Sequence, residues 1–152
     1  EASRQTRELL AAVGDEGSPY RYLRAVAALC GDRLLVPVVA TATRIGRTGP
    51  LASDKEAEMA VVLLQGRDGR RAMLAFTGLD SLHIWQERAR PVPVTLDVAA
   101  KTALAEGAEA LVIDPAGPHT LAIEGAVLHE LAAGHRLVET EPNAFGWAVP
   151  AG

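Results

Sequence analysis

Residues 56–85 read EAEMAVVLLQGRDGRRAMLAFTGLDSLHIW, and the fold is decided there. An apolar run reaches Gly66, Arg67, Asp68 and Gly69, and a second apolar run follows. Asp-Gly supplies the positive φ angles that a tight turn demands, so residues 56–65 and 70–77 are expected as an antiparallel hairpin. Residues 78–88 then carry Leu79, Leu82 and Trp85 at helical spacing, with Pro91 and Pro93 as the stop. In the second strand Met73 and Ala75 alternate with Ala72, Leu74 and Phe76. Phe76 is expected to pack on the sheet, with Trp85 closing the helix over it.

Toward the N-terminus, residues 3–13 hold Leu9, Leu10 and Val13 among charged side chains and predict a short amphipathic helix ended by Gly14. Ser18 as cap and Pro19 at the first helical position open a second helix over 19–30, with Tyr22, Leu23, Val26 and Leu29 on one face and Gly31 as the stop. Residues 34–43, rich in β-branched side chains, predict a strand. Pro37 lacks an N–H, so that strand is expected at an edge or with its ladder starting after the proline. Residues 44–55 predict the longest loop.

Toward the C-terminus a strand is expected over 92–96, a helix from Asp97 as cap to Gly107, and a buried strand over 110–113. A turn follows over 114–118, then a strand over 119–123, a helix over 126–133, and a tail over 138–152 pinned to the body by Phe145 and Trp147. These elements predict a single α+β domain, a mixed and mainly antiparallel sheet with helices packed on it. Its body is expected over residues 1–137, with a helical segment over 1–30.

The 152 residues suit one domain, and 49% apolar with only 4% aromatic content means an aliphatic core. With 15 Lys and Arg against 19 Asp and Glu, the net charge of −4 argues against nucleic acid as principal partner. No apolar stretch approaches the ~20 residues of a membrane-spanning helix. A single cysteine, Cys30, forms no intrachain disulfide, and the expected compartment is the cytoplasm. The chain opens on Glu1 rather than Met, which leaves room for a targeting segment ahead of it.

Reactive constellations fail on spacing. His129 and His135 are six residues apart, roughly 240° around a helix, where paired metal ligands need about 40°, and no metal is expected. Cys30 lies at a helix C-terminus, where the dipole disfavours a thiolate, and reads as a small buried hydrophobe. His83 shares no motif with the others. Arg44, Gly46, Arg47 and Gly49 lack the Lys-Ser or Lys-Thr and the helix of a Walker loop. Arg67, Arg70 and Arg71 at a hairpin tip read as solvating charge. No catalytic residue and no cofactor are expected. The remaining candidates are turns at strand ends, where ligands of α/β proteins gather: Thr77, Gly78 and Asp80 after one strand, and Asp114, Pro115, Gly117, Pro118 and His119 after another. Thr77 also reads as an ordinary helix cap and Asp-Pro as an ordinary turn.

Three segments, LLVPVVA over 34–40, LAFTGLDSLHIW over 74–85 and ALVIDPAG over 110–117, together resemble the N-terminal domain of the SseB family in its actinobacterial form. The resemblance spans roughly residues 20–133. It marks Phe76, Trp85 and Pro115 as structural motif positions, with Gly78 where the family usually has Ser and Asp114 where it usually has Asn. It implies an uncharacterised domain without an accepted catalytic residue. The expected function is therefore a non-catalytic module that contacts another protein or a second copy of itself, through residues 44–55 and the aromatic tail, with no nucleic-acid or membrane partner. The alternative is a small-ligand or enzymatic domain, and it requires residues 77–80 and 114–119 to be neighbours in space.

Overall fold

The computed structural model describes residues 1–14, 19–39 and 60–151. In chain order the elements are α1 (Arg4–Val13), α2 (Pro19–Leu29), β1 (Arg33–Val39), β2 (Ala60–Val61), β3 (Leu63–Gln65), β4 (Arg71–Ala75) and α3 (Leu79–Trp85). There follow β5 (Arg90–Thr95), α4 (Leu96–Ala105), β6 (Ala110–Ile113), β7 (Leu121–Glu124), α5 (Gly125–Ala132), β8 (Arg136–Glu141) and β9 (Ala144–Ala148). The expected Ser18 cap and the loop over 44–55 lie outside the described residues.

Strands order as β2-β1-β5, β3-β4-β6-β7 and β8-β9, and among the described pairs only β4–β6 is parallel. The fold is thus the expected α+β domain with a mixed, mainly antiparallel sheet. The first two sheets join where Leu35 and Phe76 exchange N–H···O=C bonds, both 2.8 Å. The arm before the hairpin turn does not run against a single partner, as the sequence predicts. It pairs with β1 at Val61, leaves at Val62, and pairs with β4 from Leu63 onward.

The expectation of an edge strand is corrected, because β1 is central, while on its β2 side the ladder starts at Val38, directly after Pro37, as the other half of that expectation has it. Leu35 spends its backbone groups on Phe76, so by the antiparallel alternation Pro37 faces the same side. Its missing N–H falls opposite Val62, where the neighbouring strand departs and no ladder bond is required. The turn itself is one in which Gly69 N–H reaches Gly66 C=O at 3.0 Å, and the positive φ is carried by Gly69 alone, at 87°.

Alternation along β4 sends side chains into two cores. Met73 and Ala75 join a main core with Leu10, Val26 and Leu29 of the first two helices, Ala99, Ala100 and Ala103 of α4, and Leu128 and Leu131 of α5. Leu74 and Phe76 join a smaller core with Leu35 and Leu82, closed by Trp85. Helix α3 is shorter than expected and presents Ser81, Leu82 and Trp85 inward; Leu79 is 43% exposed. After Trp85 the backbone turns extended at Gln86, so that the chain returns to β1 from Arg90. In α4, Thr95 rather than Asp97 is the N-cap, and its hydroxyl donates to the Asp97 carboxylate at 2.6 Å. The expected tail is instead the hairpin β8–β9, with Phe145 and Trp147 packed against the main core.

Phe76 is fully buried and its ring centroid lies 5.5 Å from that of Trp85, which is only half-buried. Phe76→Ala should therefore cost about 3–5 kcal/mol, and Trp85→Ala, with less area to lose, roughly 2 kcal/mol. Urea denaturation of the two variants checks the order; a larger loss at Trp85 would contradict the packing described.

Candidate functional site

The parallel register of β4 and β6 pairs Ala75 with Ile113, so the two strands end at the same level and their following turns emerge side by side. Residues 77–80 and 114–119 are therefore neighbours, as the ligand alternative requires. Thr77 leaves the strand with 1% exposure, and its N–H needs a partner there. The Asp114 carboxylate supplies it: Oδ1 accepts the Thr77 N–H at 2.9 Å and Oδ2 accepts the Thr77 hydroxyl at 2.7 Å. Asp114 N–H donates in turn to Ala75 C=O at 2.9 Å.

To present both oxygens, Asp114 takes a left-handed backbone with φ 54°, a conformation that Asp and Asn tolerate better than most residues. Its carbonyl accepts from Gly117 N–H at 3.0 Å and from the Thr120 hydroxyl at 2.7 Å, which fixes the 114–120 turn. Ser81, 2% exposed, donates to Gly78 C=O at 3.1 Å and closes the first turn of α3.

Helix α1 lies across both turns. Arg7 makes a bidentate pair with Asp80 at 2.8 and 2.6 Å, Ala2 N–H donates to Thr77 C=O at 2.7 Å, and Leu79 N–H donates to the Glu1 carboxylate at 2.8 Å. The bond from Arg7 pulls the Asp80 carboxyl down to about 2, and the Asp80 bond likewise raises the Arg7 guanidinium. Gly78 is extended, with φ −169°, so its backbone would admit any residue. A Cβ there would stand 2.2 Å from Arg7 Nη2 and 2.9 Å from the Asp80 and Glu1 carboxylates, so a side chain at this position would make those flexible ends move aside.

Together Arg7 and Leu10 of α1, Thr77, Asp80 and Ser81 of one turn, and Asp114, Pro118 and His119 of the other enclose a cleft of about 70 Å³. Of the residues predicted from sequence, Thr77, Asp80, Asp114 and His119 come together; Gly78 lies under Arg7. Pro115 is half-buried in its turn, away from the cleft lining. Sequence reasoning missed Arg7 and Ser81. Arg7 is 73 positions from its partner and has no local signal, whereas Ser81 stands three residues after the cap, where a reciprocal cap is built.

The other candidates take structural places. His129 Nδ1 meets Gly125 C=O at 2.9 Å and His135 Nδ1 pairs with Glu130 at 2.5 Å. Arg70 pairs with Glu109 and Glu124 at 3.1 and 3.6 Å. Cys30 is half-buried, and burial pushes its thiol up, which keeps the proton on sulfur. Among the described residues no three of His, Cys, Asp and Glu come together as a metal site, and no helix is long and apolar enough to cross a membrane. A second clasp, also missed from sequence, joins Arg24 of α2 to Glu139 at 3.1 and 2.9 Å and to Asn143 at 2.7 Å. The Arg24 bond draws the Glu139 carboxyl down to about 2.

The sequence model of the family described as SseB protein N-terminal domain matches residues 6–130. No curated protein and no solved structure matches the chain significantly.

Asp114→Ala would leave the buried Thr77 N–H without its acceptor and put Ala in a left-handed backbone, for a loss of about 2–4 kcal/mol. Asp114→Asn keeps an acceptor oxygen for the N–H, offers an amide to the hydroxyl, and suits the backbone, so it should cost less than about 1 kcal/mol. Chemical denaturation of both variants checks this; equal losses would mean that the carboxylate charge, not its hydrogen bonding, holds the turns.

Proposed function

We propose that this chain, which belongs to the SseB family, is a non-catalytic cytoplasmic module of the actinobacterial type that works by contacting another protein or a second copy of itself. What supports the reading is the state of the candidate cleft: both oxygens of Asp114 and both of Asp80 are engaged by Thr77 and Arg7, and Ser81 is turned onto its own backbone. Groups so engaged hold turns together, which favours a structural role for them, while His119 also lines the cleft. The single cysteine, unpaired, accords with a reducing compartment.

The alternative, a small-ligand or enzymatic domain, is favoured by one observation, the convergence of residues 77–80 and 114–119 on a shared cleft. Size weighs against it, since the cleft's about 70 Å³ is small beside ligand pockets of roughly 300–1,000 Å³.

Thermal melting across a panel of metabolites separates the two readings, because a ligand at ~100 times its Kd adds about 2.7 kcal/mol. The expected result is a flat panel together with protein association, seen as a specific partner in affinity capture or as self-association in sedimentation. A strict monomer that retrieves no protein and is stabilised by a small molecule would overturn the proposal.

A further inference from the structure

A sheet edge exposes a row of N–H and C=O groups that another strand can pair with, and proteins guard such edges. On the outer side of β5 the alternation places Pro91 and Pro93, which have no N–H to give. The β7 edge commits its Ala122 carbonyl to the Tyr22 hydroxyl at 3.1 Å, and β3 is only three residues long. By contrast β9, Ala144–Ala148, carries no proline and no charge, and its outer side has no strand partner among the described residues.

Its parity follows from one contact and from the alternation of an antiparallel pair. The Ala144 carbonyl takes the Thr140 hydroxyl at 3.2 Å, on the β8 side. Phe145 and Trp147 therefore turn their N–H and C=O groups outward.

The sequence of this strand, Ala-Phe-Gly-Trp-Ala, is nearly its own reverse about Gly146. Two copies set antiparallel with Gly146 on the twofold axis bring Phe145 of each opposite Trp147 of the other. Those are the residues with outward groups, so both pairs exchange N–H···O=C bonds, and aromatic cross-strand pairs are among the favourable ones. The absence of charge on the strand removes the like-charge repulsion that a self-pairing edge otherwise meets across its axis. We propose that the outer edge of β9 is an isologous interface, on which a second copy of this chain adds its own β9 to give a β8-β9-β9-β8 sheet. This rests on the interaction reading and names its partner. The edge lies beyond residues 6–130, so it is a feature of this chain outside the family match. Five paired residues, with Val138 and Val149 (41% and 63% exposed) near them, are fewer than the roughly 20–30 residues a side of a stable interface, so the dimer is a weak one.

Gly146 provides the test, because a Cβ there meets nothing within 4 Å and a side chain leaves the monomer undisturbed. Sedimentation of the wild-type chain from micromolar to millimolar concentration should show the mass rising from 16.0 kDa toward twice that value. Gly146→Lys and Gly146→Glu each set like charges face to face on the axis and should weaken association at least ~10-fold, with unchanged melting curves, while an equimolar mixture of the two restores it. Gly146→Cys should cross-link into a dimer under mild oxidation, a readout independent of how well the charged variants fold. A wild-type chain that stays at monomer mass throughout overturns the interface, and partner capture then decides the interaction reading separately. A dimer that survives both charged variants also overturns it and moves self-association to another surface.

Discussion

One strand buried on both faces sets the terms for this protein. Leu74 and Phe76 of the β4 run face a small core under α3, while Met73 and Ala75 face the main core under the other helices. A strand so enclosed cannot leave its backbone groups to water, so each must find a partner in the chain. Phe76 finds Leu35, and that exchange fuses two sheets that would otherwise be separate. Pro37 then falls where the sheet is already parting, and its missing amide leaves no neighbour unsatisfied.

The same burial accounts for the candidate site. Thr77 is the first residue past the enclosed strand and still has only 1% exposure, so its polar groups require acceptors. Asp114 reaches it because the β6 strand runs parallel to β4 and ends level with it. Arg7 then ties α1 across the pair through Asp80, and Gly78 leaves the room in which the guanidinium lies. Thr77, Ser81, Asp80, Asp114 and Arg7 thus fasten three chain segments to one another, with His119 beside them in the lining of the cleft. Arg24 and Glu139 repeat the device at the other clasp, fastening a hairpin to α2.

Local signals in the sequence were read well where one residue type has one reason to be present. Gly14 and Gly107 stop helices with positive φ, Gly69 makes the hairpin turn, and the apolar alternation of β4 divides between the two cores. The turns after Phe76 and Ile113 were legible as strand ends, and their adjacency, which the ligand alternative requires, comes from the parallel pairing of β4 and β6. Long-range pairing was not: Arg7 on an amphipathic helix looks like any solvated arginine until Asp80 is placed beside it. Of the two places the strand-proline rule offered, the sheet edge was wrong and a ladder starting after the proline holds toward β2, because a proline whose nitrogen faces a gap is harmless even in a central strand. For β8–β9 the signal was present and misread. The hydrophobic alternation of Phe145 and Trp147 follows Pro142 and Asn143, and Asn143 takes the left-handed backbone, φ 65°, of a turn.

The junction between Leu35 and Phe76 holds the two sheets as one body, and native-state hydrogen exchange tests it most directly. Each amide donates to the other residue's carbonyl inside the smaller core, so both should exchange only through global unfolding, with protection equal to that of the slowest amides of α4 and β6. Exchange of Leu35 and Phe76 through a local opening, while α4 and β6 remain protected, would contradict the claim that this bridge holds the two sheets as one body.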